Sequence, residues 1–437
     1  MADDSPHVVF VSQRFPPEKG GNAARIRDLG AHLSDAGWDV TVLAPPPTYP
    51  WGTFDRTRQR CRTDTVDNIT VHRLWSWQPQ RNPPATSHRL AYYILFGIHA
   101  ALWIIRNIRA FDLLVTTTPP ISTGVPGLWA KALGKPLLVD IRDLWIDASI
   151  SLGYLEAGSG IERVSRVFQQ FVLDQADRIS VTTSTLGKAI ERQYGAQLGK
   201  KTLVIPNGVD VSRFSTATTA DDAAVTPGRT DADAAHNSSP AALDSSSENG
   251  PPIIIYTGNL GSAQALESCI RAMTHLSHET AVLRLVGSGD RKDALQQLAA
   301  ELGVKDRVEF AGVVPREQVP ELLAAATIGL APLQPTPELT YAIPTKLYEY
   351  AASGLPALTT GRGEIERFIE ESGGGVHVQA EPSLIAAQLD ALLADSQLRR
   401  QLAAGGHEYV ASTYDRQTIA LRLSDEMNQL LAAADSA

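Results

Sequence analysis

Short apolar runs bounded by glycine, proline and polar residues alternate along this chain with longer stretches of helical periodicity. The run His7 to Val11 predicts a strand, which opens into the loop Phe15-Pro16-Pro17-Glu18-Lys19-Gly20-Gly21-Asn22. A helix follows, with Asn22 suited to its N-cap and Ile26, Leu29 and Leu33 recurring on one face. Gly37 stops that helix, and Val40 to Ala44 predicts the next strand. Strand, glycine-bearing loop, helix and strand in that order open a doubly wound sheet. The rhythm continues with strands near Leu113 to Thr117, Leu137 to Ile141, Ile179 to Thr183 and Thr202 to Ile205. A second series begins at Ile253-Ile254-Ile255-Tyr256, with strands near Val282 to Val286, Val308 to Ala311, Ile328 to Ala331 and Pro356 to Leu358. Helical segments from about Pro382 to Ala433 close the chain.

Between Ser215 and Gly250 large apolar residues almost vanish in favour of Ala, Asp, Thr, Ser, Asn and Gly. Such a stretch buries too little to offset its ordering entropy, which predicts a disordered insertion. The expected class is therefore α/β, with residues 1–210 as a first Rossmann-like domain and 211–252 as a low-complexity insertion. Residues 253–437 form a second Rossmann-like domain, whose last helix is free to pack back on the first. Two such domains in series, with a cleft between them, suit 437 residues, too many for one typical core.

Hydrophobic residues make up 43% of the chain, ample for burial, and the net charge of −9 argues against general nucleic-acid binding. Cys61 and Cys269 make neither a disulfide framework nor a metal-ligand cluster, so a reducing cytoplasm is the expected compartment. The opening Met1-Ala2-Asp3-Asp4-Ser5-Pro6 is acidic and lacks the apolar core of a secretion signal. No run reaches the ~18 to 20 consecutive apolar residues that span a bilayer. The nearest, Leu90 to Ile105, is flanked by Arg81, Arg89, Arg106 and Arg109. Two readings stay open for residues 89–109: an interfacial helix on anionic lipid at the inner face of a membrane, or a core helix with polar ends. His99 in its middle reads as a satisfied histidine, not a ligand.

The most informative segment runs from Pro344 to Pro356. Pro344 suits the first helical position, and Thr345 and Lys346 then sit where free amides and the positive dipole end favour a phosphate. Glu349, on the same face as Lys346, is placed to accept hydrogen bonds from sugar hydroxyls. Gly20-Gly21 at the end of the first strand lets the backbone approach a diphosphate, with Arg25 one turn on adding charge. Gly287-Ser288-Gly289 ends a later strand in the same way but lacks the third glycine of a dinucleotide fingerprint. Asp140-Ile141-Arg142-Asp143-Leu144-Trp145 places two carboxylates, an arginine and a tryptophan at a strand's carboxyl end, where open α/β sheets bind ligands. Either a structural ion pair or a sugar site fits that cluster. Pro206-Asn207-Gly208-Val209-Asp210 reads as a hinge between domains.

Taken in order, these motifs resemble the retaining glycosyltransferases of the GT-B fold, carbohydrate-active family four. The matching residues are Pro16-Pro17 with Gly20-Gly21, Thr118-Pro119-Pro120, Arg142-Asp143-Leu144-Trp145, and Ile205 to Asp210. Tyr256-Thr257-Gly258-Asn259-Leu260-Gly261, Gly287-Ser288-Gly289 and Pro344 to Tyr350 complete the series. The bacterial subgroup typified by N-acetyl-L-fucosamine transferases is the most similar. The resemblance implies two facing Rossmann domains, a nucleotide-sugar donor held mainly by the second, a glycan or polyprenyl-linked acceptor held by the first, and transfer without a metal or other cofactor. It implies that Glu349 binds the ribose, that Lys346 and Thr345 contact the diphosphate, and that Gly258 and Asn259 line the donor side; Gly287, in its loop at a strand end, is a further donor-binding candidate. Gly20 and Gly21 would close over the diphosphate.

Two departures stand out. The broader family often carries a glutamate seven residues before Glu349, where this chain has Ala342, and a basic residue after the Gly258 strand, where it has Gln264. Lys346, Arg25 and amide dipoles are then left to neutralise the leaving diphosphate, and Asp143 or Asp140 to orient or deprotonate an acceptor held beside Arg142 and Trp145. Asp231-Ala232-Asp233 imitates the metal-binding DxD of some sugar transferases, but within the insertion it reads as coincidence. Rival expectations are a nucleotide-sugar epimerase on the same scaffold and a non-catalytic nucleotide-sugar-binding assembly protein.

Overall fold

The computed structural model describes residues 5–18, 20–49, 52–81, 84–151, 153, 155–215 and 250–436. The chain divides into two compact units, Met1–Gly208 with Arg416–Ala437, and Val209–Asp415.

The first unit runs β1 (His7–Val11), α1 (Gly21–Asp35), β2 (Asp39–Ala44), β3 (Cys61–Val66), β4 (Ile69–Leu74), α2 (Thr86–Asn107), β5 (Leu113–Thr118) and α3 (Gly124–Ala132). It continues through β6 (Leu137–Ile141), α4 (Trp145–Ser151), α5 (Gly160–Gln175), β7 (Arg178–Val181), α6 (Ser184–Tyr194) and β8 (Thr202–Val204). The strands form one sheet in the order β3-β4-β2-β1-β5-β6-β7-β8, parallel throughout except for β3. Strands β5 and β6 are buried along their whole length, which is why they read as continuous apolar runs. The order reverses at β1, so right-handed crossovers carry α1 to one face and α2, α3, α5 and α6 to the other.

The second unit runs α7 (Ser212–Ser215), β9 (Ile253–Thr257), α8 (Leu266–Ala272), β10 (Val282–Val286), α9 (Lys292–Glu301), β11 (Val308–Gly312), α10 (Val319–Ala324) and β12 (Ile328–Ala331). Then follow α11 (Thr345–Ala352), β13 (Ala357–Thr359), α12 (Glu364–Ser372), β14 (Gly375–His377), α13 (Pro382–Ala394) and α14 (Ser396–Thr413). Its sheet is wholly parallel, in the order β11-β10-β9-β12-β13-β14. Both units are thus Rossmann-like α/β layers.

The last helix, α15 (Arg416–Asp435), belongs to the first unit. Ile419, Ala420, Leu423, Met427 and Leu430 recur at helical spacing and are buried in that unit's core beside Ile26, Leu29 and Leu33 of α1. Each large side chain buried this way contributes about 1.5–3 kcal/mol. Trp38 Nε1 donates to Ser424 Oγ at 2.8 Å, and Arg416 pairs with the buried Asp28. The second domain expected over 253–437 therefore ends at Asp415 and begins at Val209. The expected insertion lies, from 216 to 249, outside the described residues.

Three local expectations change. Helix α1 is capped by Gly20 at φ 144°, not by Asn22, and no side chain closes its first turn. Pro344 is the N-cap of α11, and Thr345 is the first helical residue. The β3–β4 hairpin had no counterpart in the apolar pattern, because β3 is polar and largely exposed. Its signal was the turn: Asp67 and Asn68 both take positive φ, the two-residue hairpin geometry those side chains tolerate.

Candidate functional site

In the first unit Asp140 ends β6 as a buried carboxylate gripped from three sides. Ser180 Oγ donates to Oδ1 at 2.8 Å, Arg25 Nη2 approaches Oδ1 at 3.3 Å, and Arg142 Nε donates to Oδ2 at 3.0 Å. Burial pushes its pKa up, yet Arg25, Arg142 and Ser180 together hold it below the ordinary carboxylate value. Arg25, only 1% exposed, also donates to the carbonyls of Ile205, at 2.8 Å, and Pro206, and keeps its Nε buried without a partner. Arg142 Nη1 reaches the carbonyl of Asn22 in the first turn of α1 at 3.2 Å. The trio ties the segments after β1, β6 and β8 into one scaffold. Arg25 and Asp140, expected in the chemistry, are both enclosed, and the contacts they make are to each other, to Arg142 and Ser180, and to backbone carbonyls.

Asp143 differs. Its Oδ1 is shut off from solvent without a hydrogen-bond partner, and burial raises its pKa to about 6 although Arg142 acts in the opposite sense. A carboxyl group poised there can hold or take a proton near neutral pH. Arg142 keeps one buried Nη2 without a partner, and Trp145, partly exposed, opens α4 beside them. Gly20 and Gly21 lie at the start of α1, the element that Arg142 contacts, so the loop after β1 and the loop after β6 meet.

In the second unit the loops after β9 and β10 interlock. Gly258 N donates to Val286 O at 2.8 Å, and Leu260 N donates to Ser288 O at 2.9 Å. A Cβ on Gly287 would lie 1.8 Å from Gly258 O, and one on Gly289 would lie 2.2 Å from Leu260 O. The Gly287-Ser288-Gly289 run thus serves the close approach of two loops, and through it fixes Gly258 and Asn259, which are exposed.

Helix α11 lies against these loops. Lys346 is buried, with Nζ 3.3 Å from the Tyr256 hydroxyl and 4.4 Å from the centroid of its ring. Its Nζ would stand 3.5 Å from a Cβ placed on Gly258, so the ammonium sits against the Gly258 backbone. Burial lowers its pKa to about 8, and Glu349 offsets only part of that cost. Glu349 retains partial solvent access while desolvation pushes its pKa up against Arg316, Lys346 and Arg213. The other motif residues hold the frame: Tyr350 Oη accepts from Thr257 N at 3.0 Å and donates to Leu330 O at 3.1 Å. Tyr348 packs edge-on against Phe368. Thr345, partly exposed, opens the helix.

This region can receive an anion on Lys346 and the first amides of α11, with Glu349 left to accept hydroxyl donors. Sequence reasoning did not single out Tyr256, the seat of Lys346, or Arg316, the basic neighbour of Glu349. Tyr256 was legible as part of the Tyr-Thr-Gly motif; Arg316 carried no signal. Among the described residues no group of three or more His, Cys, Asp or Glu gathers as a metal site.

Residues 20–208 match the family described as Glycosyl transferase 4-like domain, and residues 242–409 match Glycosyl transferases group 1. The two matches together support a group 1 glycosyltransferase. This glycosyltransferase is 26% identical over 419 residues to the putative colanic acid biosynthesis glycosyl transferase WcaI of Escherichia coli K12, covering 94% of this chain and 96% of that one. It is 29% identical over 265 residues to D-inositol 3-phosphate glycosyltransferase of Nocardia farcinica, covering 58% of this chain and 53% of that one. Sucrose-phosphate synthase from Thermosynechococcus elongatus superposes with a TM-score of 0.71 over 98% of this glycosyltransferase and all of that chain, at 19% identity. Anabaena HepE, solved with UDP, gives 0.67 over 97% of this chain and 100% of that one, at 15% identity. At such identities the likeness establishes the fold, the two Rossmann-like domains of GT-B.

Proposed function

We propose that this glycosyltransferase moves a hexosyl or N-acetylhexosaminyl residue from a nucleotide-diphosphate donor to a glycan or polyprenyl-linked acceptor in cell-surface polysaccharide synthesis. The observation that carries the reading is Lys346, a buried ammonium seated on Tyr256 against the Gly258 backbone, its charge only partly offset by Glu349. A desolvated cation there favours an anionic ligand, and the diphosphate supplies one. Glu349 is the acceptor for ribose hydroxyls, and Thr345 and Asn259 flank the phosphates. The E. coli relative named for colanic acid supports a polysaccharide role, and the HepE complex supports a uridine nucleotide.

In the transfer the anomeric carbon–oxygen bond to the phosphate breaks, and a new bond forms to the acceptor oxygen. Lys346 and amide dipoles stabilise the leaving diphosphate without a divalent ion. Asp143 receives the acceptor proton, with Arg142 and Trp145 orienting the acceptor. Retention of configuration and the N-acetylfucosamine-like subgroup rest on the family resemblance. The test is thermal stabilisation by a panel of UDP-, GDP- and dTDP-sugars, followed by transfer with the stabilising donor. A ligand at 100 times its Kd adds about 2.7 kcal/mol. Stabilisation by a nucleotide sugar and loss of it in Lys346→Met are expected; stabilisation by none of them, or by a nicotinamide or flavin instead, would remove the proposal.

A further inference from the structure

Helix α2 is apolar on two opposite faces. Tyr92, Phe96, Ala100 and Ile104 are fully buried in the first unit, whereas Leu90, Ile94, Ile98, Leu102 and Ile105 form an outward ridge. Ile94, in mid-ridge, is 51% exposed. The segment Ser87–Asn107 is long and apolar enough to cross a bilayer by length and composition, but its inward face is committed to the fold. An amphipathic surface helix would carry polar residues outward, and this one does not.

The ridge has neighbours. Helix α3 packs beside α2 and exposes Trp129 and Leu133; α5 packs beside α3 and exposes Ile161, Val164, Val167 and Phe171. Val164 and Val167 are 70% and 69% exposed and, with Arg163, Phe168 and Phe171, line a shallow groove. All three helices lie on one side of the sheet, so their outward ridges share a face. An apolar surface of that extent needs a cover.

Charge says which cover. In a chain of net charge −9, α2 and α3 contain no Asp or Glu; Arg106 and Arg109 are exposed at the end of α2, Arg89 at its start and Lys135 after α3 are half-buried, and Lys131 is paired with Asp177. On α5 the acidic Glu162 is engaged by Arg166 and by Gly158 N, Arg163 is exposed, and the one other acid, the exposed Asp174, sits in the last turn, away from Val164 and Val167. A second copy of so basic a face would repel itself at its rim. We infer that the α2–α3–α5 face is a docking surface for an anionic lipid bilayer, the apolar ridges entering the headgroup boundary and the basic rim pairing with lipid phosphates. This surface belongs to the first unit alone and does not depend on the donor reading.

The experiment is flotation of the full chain with vesicles of phosphatidylcholine alone or with phosphatidylglycerol added, at low and high salt. Binding to the anionic vesicles that weakens with salt is expected. The Ile98→Asp and Val164→Asp variants should lose it by about tenfold each, and Arg106→Glu with Arg109→Glu by a similar factor. Variants are compared at equal thermal midpoint and equal donor-induced stabilisation, so misfolding and failure of the donor site register separately. No preference for anionic vesicles, undiminished binding by the variants, or a dimer that Ile98→Asp converts to monomer would each overturn the inference.

Discussion

Lys346 Nζ lies 3.3 Å from the Tyr256 hydroxyl and 4.4 Å from the centre of its ring, a cation held by an aromatic face and desolvated by the helix that carries it. Its pKa, lowered from 10.5 to about 8, sets two opposite pH dependences. Between about 8 and 10.5 the unfolded chain binds more protons here than the native one, so this residue's contribution raises stability as pH climbs through that window. Binding of an anionic donor needs the ammonium form and weakens over the same climb. Lys346→Met should remove both slopes. We expect it to stabilise the ligand-free protein near pH 7 by about 1–3 kcal/mol and to weaken donor binding at least about tenfold. Denaturant midpoints and donor titrations at pH 7 and 9 compare the two proteins.

Asp143 titrates from the other side. Burial holds its folded pKa at about 6, above the ordinary 3.8. The native state therefore keeps a proton that the unfolded chain has lost, and the associated stability, present below about pH 3.8, disappears as pH rises through 6. If its carboxylate takes the acceptor proton, transfer falls off below about pH 6. Asp143→Asn should lower the rate at pH 7 by about 10²- to 10⁴-fold, flatten the acid limb of what remains, and leave donor binding unchanged. An acid limb that persists in the variant would assign it to another group.

For Arg25 and Asp140 the expectation is structural. Removing one partner of a buried ion pair leaves the other charged and unsatisfied, a loss of about 3–5 kcal/mol. Arg25→Ala and Asp140→Ala should each lower the unfolding free energy of the first unit by that amount, read by urea denaturation, while nucleotide-sugar binding at Lys346 persists. The double variant Arg25→Met with Asp140→Leu should recover part of the loss. Full stability in Arg25→Ala would return that residue to consideration as a ligand contact.

The contrast between Arg25 and Lys346 marks how far the sequence is legible. Lys346 and Glu349 are one helical turn apart, so a local rule places them on one face, and the structure keeps them there. Apolar runs likewise announced β1, β6, β10 and β12, because a parallel sheet buries both faces of its strands. The fate of Arg25 depends on carbonyls 180 and 181 residues away, at Ile205 and Pro206, which no local pattern reports. The same holds for α15, whose apolar spacing reveals a helix but not the unit it covers. The polar β3 escaped notice because it is an exposed edge strand, paired on one side alone with β4.

Gly287 tests whether the glycine run serves packing or the ligand directly. It adopts φ 140°, where a side chain is strained, and a Cβ would stand 1.8 Å from Gly258 O. Gly287→Ala must therefore push apart the loops after β9 and β10, moving the backbone against which Lys346 rests. We expect about 2–4 kcal/mol of destabilisation, strain and overpacking together, with weaker donor binding as its consequence. Gly303 supplies the control, since it has positive φ, at 70°, but nothing within 4 Å of the added Cβ. Gly303→Ala should show backbone strain alone, about 1 kcal/mol, with donor affinity intact. If Gly287→Ala instead kept its stability and lost only the donor, the glycine would contact the ligand itself, and the interlocked loops would not be what requires it.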